Sequence, residues 1–157
     1  MTILKFFSTI KCNRNKVGVL AAILSACSYV SLAHAELAVV VHPSNPVTTF
    51  SQREISKLYL GRLHLFPGTS QNIILIDQQE SQPSYQEFYR DLVKIRFEKL
   101  KRYRAAYLFS GRGNLPIQLS SDEKVKEYVS RHKDAIGYID ASLVDASVKS
   151  IYQFPQE

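Results

Sequence analysis

The sequence predicts an α/β domain, a mixed sheet flanked by helices, and three observations predict it. Apolar runs rich in Val and Ile recur at residues 37–42, 73–77, 135–140 and 148–154. Between them lie segments with apolar residues at helical spacing, opened by Ser-x-x-Glu boxes at Ser51, Ser84 and Ser120. The joints carry breakers: Pro43, Pro46, Pro67-Gly68, Gly111 and Gly113. Strands alternating with helices give a sheet with helices on its faces.

Each element has its own reason. LAVVVH, residues 37–42, is continuously apolar, as expected of a strand buried on both faces. The Ser51 box opens a short helix with Ile55, Leu58 and Tyr59 on one face, and Gly61 is its natural stop. IILID, residues 73–77, is the second strand. A helix is expected over 84–95, with Ser84 as its cap and Phe88, Leu92 and Ile95 at helical spacing. FEKLKRYRAAYLF, residues 97–109, reads as a further helix, striped by Phe97, Leu100, Tyr103 or Arg104, and Tyr107. SGRGNLP is a Gly-rich loop. The Ser120 box opens a helix through Val125, Tyr128 and Val129. AIGYID is a strand with an internal Gly, and 148–154 is a last strand at a sheet edge.

Residues 1–35 read as a leader. Lys5, Lys11, Arg14 and Lys16 precede an apolar run that ends at Ala33-His34-Ala35, a small-x-small cleavage site. The expectation is a signal peptide cut after Ala35 and a single domain over 36–157, located in the periplasm. LSAC, ending at Cys27, offers the alternative of a lipoprotein anchored there, and an uncut anchor is a third route. Removing the leader leaves 16 Lys and Arg against 14 Asp and Glu, a net of +2 from the full chain's +6. The basic balance is therefore partly a targeting signal and argues for no nucleic-acid partner. Both cysteines, Cys12 and Cys27, leave with the leader, so the domain has neither a disulfide nor a Cys-based metal site.

The ordered set ISKLYLGRLHLFPG, IILIDQQESQPSYQEFY, LFSGRGNLP and AIGYID resembles the phosphate ABC transporter substrate-binding protein family. More narrowly, it resembles the short, single-domain periplasmic members of that family. The resemblance implies a type II periplasmic-binding-protein-like lobe. Full-length relatives close two such lobes on phosphate. In them, the helix start after the strand carries an Arg and a G-S-G-T run. Here that stretch reads DQQESQPSYQEF, without the Arg and the glycines, and with Gln79 and Glu80 in their neighbourhood.

A strand-to-helix turn is nonetheless a ready place for an oxyanion, because a helix N-terminus offers free N–H groups and roughly half a positive charge. The ligand-binding candidates are Ser81 and Ser84 as hydroxyl donors and Arg112 as the cation. Gly111 and Gly113 let the backbone approach closely. The competing reading is an ordinary capped helix, with Glu80 repelling an anion unless Arg112 neutralises it. His42, His64 and His132 lack ligand spacing, so no metal site is expected. His42 and Asp77, both at strand ends, would have to meet for a hydrolase site, and no G-x-S-x-G elbow accompanies them. No catalytic residue and no cofactor are assigned. The basic run from Lys94 to Arg104 reads as a solvated helix face; contact with anionic lipid headgroups or an acidic partner is the sharper alternative.

Two functions follow as expectations. One is an exported solute-binding module for phosphate or a similar small oxyanion, working in transport or sensing. The other is a single-lobe interaction module of the envelope that has lost its ligand and docks a membrane transporter or sensor. A homodimer of such lobes would rebuild a cleft.

Overall fold

Five strands form one mixed sheet in the order β3-β2-β4-β1-β5. The computed structural model describes residues 36–70, 72–111 and 115–153. The expected leader 1–35, its cleavage after Ala35 and the lipid site at Cys27 lie outside the described residues. The elements in chain order are β1 (Leu37–Val41), α1 (Gln52–Tyr59), β2 (Ile74–Gln78) and α2 (Pro83–Glu87), which runs into a π-helical turn, Phe88–Leu92. Then come α3 (Phe97–Phe109), β3 (Ile117–Leu119), α4 (Asp122–Arg131), β4 (Ala135–Asp140), a 3₁₀ turn at Ala141–Leu143 and β5 (Lys149–Gln153). β2 runs parallel to β3 and β4, whereas β1 is antiparallel to β4 and β5. β5 lies at an edge, as expected.

Strand alternation divides the core in two. Leu37, Val39 and Val41 of β1, with Ile136 and Tyr138 of β4, face α1 and the aromatic residues Tyr85, Phe88 and Tyr89. Ala38 and Val40, with Ala135 and Ile139, face Val125 and Val129 of α4. Gly137 explains how close α4 comes: a Cβ there would lie 2.6 Å from Val125 Cγ1. The Ser51 cap is complete, with Ser51 Oγ accepting from the Glu54 N–H and Glu54 Oε2 accepting from the Ser51 N–H. Gly61 ends α1 at φ 61°.

Three sequence expectations are corrected. Pro83, not Ser84, opens α2. Its missing N–H costs nothing in the first turn, so Gln82 becomes the cap residue, without a side-chain bond, and Ser84 moves inside the helix. That helix ends at Leu92 rather than Ile95. The Val93 N–H bonds to Phe88 O in a wide turn, and Lys94 takes a left-handed φ of 55°. The cap of α4 is Ser121, whose Oγ accepts from the Lys124 N–H, one residue after the expected Ser120. β3 lies at 117–119, between the Gly-rich loop and the Ser120 box, where the sequence pattern marks no element. It has three residues, two of them exposed, and carries too little apolar pattern to be read. Among the described residues no helix is long and apolar enough to cross a membrane.

Candidate functional site

Because β2, β3 and β4 are parallel, their C-terminal ends share one edge of the sheet, where open α/β sheets hold ligands. α2 and α4 both start at this edge. Asp122, the first residue of α4, occupies the space between them. Its Oδ1 accepts from Gln78 Nε2 at 2.7 Å and from the Asp140 N–H at 3.1 Å, and its Oδ2 accepts from Ser84 Oγ at 3.2 Å. Gln82 Nε2 adds a bond to Ser120 O at 2.9 Å, and the Gln79 N–H bonds to Leu119 O at 3.0 Å. A carboxylate in the first turn also meets the positive end of its own helix. Three donors thus converge on an anion supplied by the chain itself. Nearby, Gln78 Oε1 is buried with no hydrogen-bond donor.

The expected ligand residues scatter. Ser84 is buried and engaged with Asp122. Ser81 is exposed on the turn before α2. Gly111 is exposed at the far end of α3, with φ 65°. Lys101 pairs with Glu80 at 3.2 Å, so the first half of α3 lies beside the turn, and Gly111 sits about 15 Å further along the helix. Arg112 and Gly113 lie outside the described residues. Among the described residues Glu80 is paired with Lys101. The imagined meeting of His42 and Asp77 does not occur. β1 runs against β2, which puts His42 at the opposite edge of the sheet. Among the described residues no three His, Cys, Asp or Glu side chains gather as metal ligands.

Beneath this edge lies a buried polar cluster. Asp77, fully buried, accepts from the Tyr138 hydroxyl at 2.5 Å and the Gln78 N–H at 2.9 Å through Oδ1. Through Oδ2 it accepts from the Tyr89 hydroxyl at 2.9 Å and from Arg104 Nη2 at 2.5 Å. Arg104 Nη1 donates to the Tyr85 hydroxyl at 3.1 Å, and its guanidinium lies 5.1 Å from the Tyr89 ring centre. Tyr59 donates to Ile76 O at 2.9 Å. Burial, reinforced by the Asp77 charge, holds the phenols of Tyr59, Tyr89 and Tyr138 well above the usual tyrosine range. Burial also lifts Tyr85 to about 12, with Arg104 pulling the other way. For Arg104, burial opposes the charge, but Tyr89 and Asp77 outweigh it, and its pKa is raised. Sequence reading placed Asp77 at a strand end and Arg104 on the α3 stripe without joining them. The available signal was an acid closing an apolar run and a base on an apolar helical face.

No family model matches the chain, and no curated protein matches it. Solved structures do. The chain is similar to a protein from Clostridium perfringens described as a phosphate ABC transporter substrate-binding protein with bound phosphate, at TM-score 0.61 and 22% identity over 74% of this chain. It is similar to an ABC-type phosphate transport receptor from Vibrio cholerae, at TM-score 0.59 and 22% identity over 74%. It is similar to PstS from Borrelia burgdorferi, at TM-score 0.60 and 18% identity over 77%. The chain spans less than half of each, 44%, 45% and 49%. The fold is therefore that of one lobe of a periplasmic phosphate-binding protein, a five-stranded mixed sheet flanked by helices. Those neighbours are binding proteins.

Proposed function

We propose that the chain is an exported, single-lobe domain of the solute-binding-protein type, spanning 36–157 in the periplasm after cleavage following Ala35. In this lobe the oxyanion seat is filled by Asp122. The domain then acts in oxyanion transport or sensing as an interaction module for a membrane transporter or sensor, rather than by capturing phosphate alone. The observation that carries this reading is the Asp122 carboxylate, held by Gln78, Ser84 and the Asp140 N–H. A free anion would have to displace it or carry a proton to share. The lobe fold and the phosphate-transport neighbours support the class, and the reading assigns no catalytic residue. Thermal unfolding of 36–157 in millimolar phosphate or sulfate tests it. A ligand at a hundred times its Kd stabilises by about 2.7 kcal/mol, so an unmoved midpoint is expected and a clear rise in phosphate would overturn the reading.

A second reading keeps an oxyanion at the same turn, bound by Ser81 and Ser84. It is favoured by Gln78 Oε1, a buried acceptor that lacks a donor. Hydrogen phosphate brings a proton to such an acceptor and sulfate does not, so stabilisation by phosphate alone would select this reading.

A further inference from the structure

We propose that the C-terminal end of α3 docks the domain onto an anionic bilayer surface. The large apolar side chains left exposed among the described residues are Leu65 at 41%, Leu108 at 50%, Phe109 at 92% and Ile117 at 43%. Ile117 lines a hollow of about 400 Å³ between α3 and the starts of β2 and β3, beside His64, Asn72 and Tyr107. Leu65 follows His64 and bridges to Asn72, while Leu108 and Phe109 continue α3 beyond Tyr107. The Phe109 ring, 92% exposed, is left with almost no burial in the domain.

Among the described residues the charged side chains of α3 that follow Glu98 are all basic. Arg102 precedes Phe109 by two helical turns, which puts both on one stripe of α3, and it is exposed. Arg62, also exposed, follows Gly61, and a Cβ on Gly61 would touch the Tyr107 ring at 2.6 Å, so Arg62 stands beside the same tip. Neither arginine has a carboxylate partner among the described residues. The one acid on α3, Glu98, lies in the first turn, at the opposite end of the helix. An anionic bilayer offers phosphate to cations and hydrocarbon to an inserted ring on one continuous surface, and basic-plus-apolar faces bind it through both. A second copy fits worse, because a two-fold contact through this tip would bring four arginines together with no carboxylate partner among the described residues.

Flotation of the 36–157 domain with lipid vesicles tests the proposal. This segment contains every strand and both cores of the described structure. The domain is expected to float with phosphatidylcholine vesicles containing phosphatidylglycerol, not with phosphatidylcholine alone, and to be released by added salt. Phe109→Ser, and separately Arg62→Glu with Arg102→Glu, should each weaken that binding about tenfold or more. Urea unfolding checks that these surface variants stay folded. No flotation with anionic vesicles, or flotation indifferent to both variants, would overturn the proposal. So would a Phe109-dependent dimer or a Phe109-dependent complex with an acidic protein in the absence of vesicle binding.

Discussion

Ser84 and Asp122, separated by 38 residues in sequence, are joined by a 3.2 Å hydrogen bond that closes the C-terminal edge of the parallel strands. The bond links the start of α2 to the start of α4. It also points a buried hydroxyl at a carboxylate of the same chain. A lobe that waits for an external oxyanion would leave such a donor free. Here the Ser84 hydroxyl is committed to Asp122.

Removing this internal anion should weaken the fold. Asp122→Ala strips three hydrogen bonds from a charged acceptor and leaves the Gln78 amide partly buried with one donor unpaired. Hydrogen bonds to charged groups contribute about 1.5–3 kcal/mol net each, and water reaching the truncated, partly exposed site restores part of the three, so a loss of about 2–3 kcal/mol is expected in urea unfolding. Asp122→Asn, which keeps an acceptor oxygen, should lose less. Equal losses in the two variants would contradict the accepting role given to the Asp122 carboxylate.

The Asp77–Arg104 pair should behave as a buried pair does, with the orphan costing more than the pair earns. Arg104→Met leaves Asp77 buried without its cation and should destabilise by about 3–5 kcal/mol. Adding Asp77→Asn in that background should recover part of the loss, because no uncompensated charge then remains. A double variant less stable than Arg104→Met would contradict this account.

Alkaline pH should unfold the domain through its tyrosines. Burial lifts Tyr85 to about 12 in the folded protein against 10.0 in the unfolded chain, and burial beside the Asp77 charge holds Tyr59, Tyr89 and Tyr138 well above the usual tyrosine range. The folded state therefore keeps protons that the unfolded chain has released. The stability these groups contribute is complete below pH 10 and is lost as pH rises through the folded values. Near-ultraviolet tyrosinate absorbance, followed beside circular dichroism, should show these hydroxyls ionising together with loss of structure. Ionisation of all tyrosines before any unfolding would sink the prediction.

Gly137 should tolerate no side chain while Val125 faces it. Gly137→Ala places a methyl 2.6 Å from Val125 Cγ1, and overpacking of this kind costs about 1–3 kcal/mol. Val125→Ala removes the clashing group, so adding Gly137→Ala to it should cost little. Thermal melts of the four proteins measure the coupling. Simple additivity would show that the glycine serves another purpose.

Much of this architecture is legible in the sequence, because its strands and caps are local patterns. LAVVVH and AIGYID are β-branched runs that need no context, and the Ser51 box declares α1 by itself. What was not legible depends on partners distant in sequence. Ser84 has the spacing of a cap, but Pro83 takes the first helical position and frees the hydroxyl for Asp122. β3 has only three residues and acquires strand form from its pairing with β2. The candidate site was sought among Ser81, Ser84 and the Gly-rich loop, where hydroxyls and glycines cluster. Its anion is instead an acid in the first turn of α4, which in sequence looks like ordinary N-terminal charge. The Asp77–Arg104 pair was hidden in the same way, since 27 residues separate its halves.

The most direct test of Asp122 as the built-in anion is calorimetric titration of 36–157 with phosphate, with sulfate as control, for the wild type and Asp122→Ser. The wild type should give no saturable heat at millimolar phosphate, and Asp122→Ser, with its donors released, should gain measurable binding. Saturable phosphate binding by the wild type that weakens in Asp122→Ser would contradict the account, because Asp122 would then be holding the ligand rather than replacing it.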